Sequence, residues 1–169
     1  MLAVVVIGPP GAGKTTVLTA LQNLLADDGI RHAVIELEAL AWAHPAISDE
    51  QSFRHLAALS EMYRAARYDL IICGATVTSD AFMTSLVAAL AADARLIVRL
   101  DAPVRTLRQR ITQREPPGWS GLPHLLRATE RIVVQSRRLT EVDATFSTDE
   151  ASPRAIAAEI RGLSPGLRT

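Results

Sequence analysis

Gly8-Pro9-Pro10-Gly11-Ala12-Gly13-Lys14-Thr15 follows the spacing GxxxxGK[ST], a small-residue loop closed by an ammonium and a hydroxyl. Each part has a chemical use. Glycines let backbone N–H groups approach phosphate oxygens, a lysine can reach between β- and γ-phosphates, and a hydroxyl can ligate Mg²⁺. Of the 18 lysines and arginines in the chain, Lys14 is the only lysine. A planar guanidinium is wider than an ammonium and does not fit so tight a cradle, so this position demands what the rest of the surface does not.

The flanks supply the elements such a loop needs. Leu2 to Ile7 is a short, β-branched apolar run that reads as a strand buried on both faces. Thr15 to Ala26 carries Val17, Leu18, Leu21, Leu24 and Leu25 at helical spacing. Strand, loop and helix N-terminus together aim N–H groups and the positive end of a helix dipole at an anion. Further strands are expected at 31–38, 68–73, 94–100 and, more weakly, 142–147. Helices are expected at 49–67, 79–92, 103–114, 122–139 and 152–161, with a fraying tail. The alternation implies a parallel sheet covered on both faces, with ligands at the carboxyl ends of its strands.

With 169 residues, 49% hydrophobic and 21% charged, the chain reads as one globular domain, 1–169. Its net charge of zero argues against a nucleic-acid partner. It has no apolar run long enough to span a membrane, and its N-terminal apolar stretch is too short for a signal h-region. One cysteine, Cys73, and no secretion signal suggest the cytoplasm, with Cys73 a buried thiol. His32, His44 and His124 show no zinc-ligand spacing. A second lysine is missing, so the Asn/Thr-Lys-x-Asp motif of guanine-specific GTPases cannot exist. The third strand ends in Cys73-Gly74-Ala75, not in the Asp-Glu of AAA+ and RecA-type motors.

The loop, together with Leu100-Asp101-Ala102-Pro103 and the following Leu107, Arg110 and Arg114, resembles the small P-loop kinases of the adenylate-kinase-like and shikimate-kinase-like superfamily. The resemblance covers the length and element order of the whole chain. It implies a P-loop three-layer α/β sandwich with a five-stranded parallel sheet in order 2-3-1-4-5, and ATP and Mg²⁺ as cofactors. It implies transfer of the γ-phosphoryl to a hydroxyl of a small metabolite or antibiotic. Gly8, Pro9, Pro10, Gly11, Ala12, Gly13, Lys14, Thr15 and Thr16 would hold the nucleotide, and Thr15 the metal. Arg110 and Arg114 would be lid arginines reaching the γ-phosphate beside a mobile segment at about 114–121. For Arg105 and Arg108 a solvated helix face is the better reading.

Glu36 and Glu38, read as alternating from the end of the second strand, occupy the place of the Asp-x-Asp of shikimate-kinase-like enzymes. By that resemblance Glu36 stands on the metal and substrate side, and Glu38 is the base that takes the acceptor's proton. Glutamate in place of aspartate moves each carboxylate outward by one methylene. Arg54 is an acceptor-binding candidate, and Thr148, Asp149, Ala151 and Pro153 fall where such kinases place adenine. Trp119 either covers a ligand or pins its own loop. Two alternatives remain open: a nucleoside monophosphate kinase, and an ATP-binding sensor without phosphotransfer.

Overall fold

A computed structural model describes residues 1–164; the expected fraying tail at 165–169 lies outside the described residues. Five strands, β1 (Leu2–Ile7), β2 (His32–Glu36), β3 (Leu70–Ala75), β4 (Ala94–Asp101) and β5 (Ala144–Ser147), form one sheet in the order β2-β3-β1-β4-β5. Every neighbouring pair is parallel. Among the described residues seven helices flank them: α1 (Lys14–Asp27), α2 (Leu37–Leu40), α3 (Asp49–Ala65), α4 (Asp80–Leu90), α5 (Val104–Arg114), α6 (Leu122–Ser136) and α7 (Pro153–Leu163).

Alternation along the central strand builds the three layers. Val4 and Val6 of β1 join Leu18 and Leu21 of α1, Leu107 of α5 and Ile156 and Ile160 of α7. Ala3, Val5 and Ile7 face the other way, onto Leu56 of α3 and Met83, Leu86 and Leu90 of α4. All six residues of β1 are buried, so this strand has no polar face to show water. The sheet order and layers are those the family resemblance implied.

The end of β2 differs from the sequence reading in a way that matters. β2 stops at Glu36, and residues 37–40 form a helical turn, α2. Leu-Glu-Ala-Leu is a run of good helix formers, and Leu37 buries itself on the α3–α4 side of the sheet. Glu38 is therefore a helix residue and not the next outward position of a strand. The stretch 115–121 links α5 to α6 with no regular element of its own.

Candidate active site

The glycine loop leaves β1 at the centre of the sheet. Gly11 and Gly13 take φ of 80° and 84°, conformations open to glycine and strained for other residues. A Cβ on Gly11 would also come within 3.0 Å of the Leu107 carbonyl, so α5 packs directly on the loop. Gly13 is the N-cap of α1, with no side-chain cap and no acidic residue in the first turn. The first-turn N–H groups have no intrahelical acceptor. That leaves the positive end of the helix open to an anion. The N–H of Ala12 donates to the Pro9 carbonyl at 3.1 Å and serves the turn itself.

Lys14 Nζ donates to the Gly8 carbonyl (2.9 Å) and to Thr76 Oγ1 (3.0 Å). Burial pushes its pKa below the ordinary 10.5, and the charges of Glu38 and Glu36 pull the other way. Thr15 Oγ1 donates to Glu36 Oε2 at 3.1 Å. Glu38 Oε1 accepts from the Thr76 backbone N–H at 2.6 Å, which holds α2 against the end of β3. The two glutamates thus reach one site by different routes, Glu36 from a strand end and Glu38 from a helical turn. Thr76 joins Glu38 to Lys14, while Glu36 is held by Thr15. Sequence reasoning missed Thr76, because a threonine one residue past a strand carries no signal of its own.

These groups line a cavity of about 870 Å³ that also takes in Pro9 and Pro10 of the loop, Trp42, Arg110, Arg114, Glu115 and Leu125. Arg110 is not an arm held out over the cavity. Its guanidinium donates to Gly11 O (3.3 Å), Thr148 Oγ1 (2.9 Å) and Thr148 O (2.9 Å), bracing the loop against the end of β5. Arg114 lies at the rim, paired with Glu115 through Nε (2.9 Å) and Nη2 (2.5 Å). Arg108 pairs with Glu130 on the outer face of α5, and Arg105 is exposed. Arg54 is exposed on α3 and does not line the cavity. Trp119 packs on its own loop: a Cβ on Gly121 would strike its ring.

On the β5 side a smaller recess of about 260 Å³ lies between Arg110, Thr148, Pro153 and Ile156, and opens onto Gly13 and Thr16. Asp149 is turned to Thr106 Oγ1 at 3.0 Å. Among the described residues no three His, Cys, Asp or Glu side chains form a metal cage. A hydroxyl beside a carboxylate, at Thr15 and Glu36, is nonetheless a hard-oxygen pair of the kind Mg²⁺ accepts when phosphates and water complete its shell.

Solved structures share this architecture. The chain aligns with a sugar kinase from Janibacter sp. HTCC2649 at 18% identity, covering 100% of this chain and 99% of that one, with a TM-score of 0.67. The APS kinase CysC of Mycobacterium tuberculosis, solved with AMPPNP and APS, matches at 18% identity over 95% of both chains, TM-score 0.66. The tunicamycin resistance protein of Deinococcus radiodurans matches at 19% identity over 95% and 93%, TM-score 0.64. At such identities the likeness is one of fold. No curated protein sequence matches the chain. Residues 4–123 match the family model described as an AAA domain, a span holding β1, the glycine loop and the strand ends that bring Glu36 and Thr76 to Lys14. β3 ends without the Asp-Glu of the motors, so the loop and the sheet around it carry the relationship, and the chain belongs to the AAA domain family.

Proposed function

We propose that the protein is a phosphotransferase that moves the γ-phosphoryl of Mg·ATP to a hydroxyl of a small molecule. One observation carries the reading. The only lysine, the loop hydroxyl and two carboxylates from separate elements line one cavity, Lys14 and Glu38 linked through Thr76 and Thr15 bonded to Glu36. A site that only held nucleotide would need the loop, the lysine and one metal-side carboxylate. A second carboxylate beside the phosphate cradle is what removal of an acceptor proton requires.

Lys14 and the first-turn N–H groups of α1 hold the phosphoryl oxygens and neutralise the charge that spreads over them during transfer. Thr15 and Glu36 would hold Mg²⁺, which when bound would supply further charge neutralisation. Glu38 takes the hydroxyl proton as the acceptor oxygen bonds to phosphorus and the bond to the ADP oxygen breaks. One of its oxygens is fixed by the Thr76 N–H, which leaves the other for the proton. The nucleotide base occupies the recess between Arg110 and Pro153.

The arginines favour a hydroxyl acceptor over a nucleoside monophosphate. Arg54 is outside the cavity, and Arg64 is bound to the Ala91 carbonyl and to Asp93. The test is ADP release from Mg·ATP with pooled metabolites, nucleosides and antibiotics. Acceptor-dependent turnover that vanishes in Lys14→Ala is expected. Glu38→Gln should lower turnover by a factor on the order of 10² with ATP affinity little changed. ATP binding without turnover on any pool would favour the sensor, and the absence of any ATP-induced rise in melting temperature would remove the nucleotide reading altogether.

A further inference from the structure

The sheet order divides the cavity. The glycine loop follows the central strand. Arg110 and Thr148 stand on its β4–β5 side, while Glu36, Glu38, Thr76 and Trp42 stand on its β2–β3 side. The β2–β3 half is rich in negative charge and poor in free cations. Lys14 is spent on Gly8, Thr76 and the phosphate position. Arg110 is bound to the loop and to Thr148, and Arg114 is paired with Glu115. Among the described residues that line the cavity, Lys14, Arg110 and Arg114 are the cations and each is bonded within the chain, so an anionic acceptor would face two carboxylates with no unpaired cation there to meet it.

Trp42 adds a second, independent observation. Its side chain is 88% exposed although it lines the cavity, and it stands on the turn that ends α2, four residues after Glu38. The Trp42 N–H donates to the Ala39 carbonyl at 3.3 Å, which sets the residue on that turn. A large indole left in water at the cavity that also holds Glu38 is an uncovered stacking face. Its π-face attracts cations as well as flat apolar rings.

We infer that the acceptor is an uncharged or cationic hydroxyl compound with a flat apolar face, seated on Trp42 with its hydroxyl toward Glu38. The inference rests on the phosphotransfer reading for the role of Glu38, but its test reads binding and not turnover.

Three probes share one ring and differ in charge: tyramine (cationic), tyrosol (neutral) and 4-hydroxyphenylacetate (anionic). Each is titrated by calorimetry into the full chain saturated with Mg²⁺ and a non-hydrolysable ATP analogue. Tyramine and tyrosol are expected to bind at least about tenfold more tightly than 4-hydroxyphenylacetate. Trp42→Ala should lose that binding, and Trp42→Phe should restore most of it, with affinity for the analogue unchanged in both. Because Trp42 is exposed, the alanine variant keeps its fold, which its melting temperature checks. Equal or tighter binding of the anion, indifference to Trp42→Ala, or no response to any probe at millimolar concentration overturns the inference. ADP release measured in parallel separates the two readings: probe binding through Trp42 with no transfer to any hydroxyl sinks phosphotransfer alone, and transfer to anionic acceptors sinks this inference alone.

Discussion

Arg110 is either a strut or a moving arm, and the two make opposite predictions. As a closing arm it would contribute nothing to the nucleotide-free protein. As a strut it joins the glycine loop to the end of β5 through two bonds of 2.9 Å to Thr148 and a longer one of 3.3 Å to Gly11. Arg110→Met keeps the apolar stem and removes the donors. Hydrogen bonds from a charged group are worth about 1.5–3 kcal/mol each. The carbonyl and hydroxyl left behind are only part-buried and can turn to water, so the low end applies, and the longest bond counts for little. The expected loss is about 3 kcal/mol, or about 6–12 °C in melting temperature for a domain of this size. Arg110→Lys should recover less than half, because one ammonium cannot reach both Thr148 oxygens and the loop.

The assay is thermal unfolding without nucleotide, followed by an ATP titration of each variant. A nucleotide-free Arg110→Met protein that melts within about 1 °C of the parent would refute the strut and restore the lid arm that the family resemblance implies. A lowered melting temperature with weakened ATP affinity is the strut's signature. Binding then suffers because the loop has lost its support.

Three further outcomes follow from the same geometry. Lys14 is the only lysine, so a chain grown with ¹³Cε-lysine gives one side-chain signal whose pH titration can be followed alone. Its folded pKa is lowered below 10.5 by burial, so the unfolded chain keeps that proton to higher pH, and stability should rise as pH climbs from the folded pKa toward 10.5. ATP should raise the midpoint, because phosphate oxygens favour the ammonium; a midpoint unmoved by saturating ATP contradicts this. Gly74→Ala would place a Cβ 2.6 Å from Leu18 Cδ1, so a loss of about 1–3 kcal/mol is expected in denaturant unfolding, smaller in a Leu18→Ala background; equal losses in both would sever the link. Cys73 is fully buried, and burial together with the Glu38 charge pushes its thiol up to about 12, so thiol reagents should label it only as fast as the protein opens.

The parts of the site that were legible in the sequence are those whose chemistry depends on neighbours in the chain. The strand-loop-helix unit was readable because apolar β-branched residues, glycine spacing and helical periodicity all agree within residues 2–26. Glu36 and Glu38 were readable as a pair, though the strand alternation used for them was wrong, since four helix formers turn the chain at Leu37. Arg110 and Arg114 do fall on one helix, as their spacing predicted. That one meets Thr148, 38 residues away, and the other meets its neighbour Glu115 depends on where β5 ends, which no local pattern states. Thr76 and Trp42 were invisible for the same reason: what matters is which strand end and which turn stand beside the lysine.

The polar groups of the site bond to one another, so in the proposed reading nucleotide competes with bonds made within the chain. Lys14 is held by Gly8 and Thr76, Thr15 by Glu36, and Glu38 by the Thr76 N–H. In that reading phosphate oxygens would displace the partners of the lysine, and Thr15 and Glu36 would exchange their mutual hydrogen bond for the metal ion they would hold. Each exchange swaps a bond for a bond, so little net affinity comes from the count of contacts. The gain comes from charge. Two carboxylates partly offset the cost of burying the Lys14 ammonium, and phosphates would do so more fully. Glu38 is the exception in this exchange, because its bond to a backbone N–H competes with no phosphate oxygen and can persist. In the proposed reading it is the group of the cavity that nucleotide would leave in place for the acceptor.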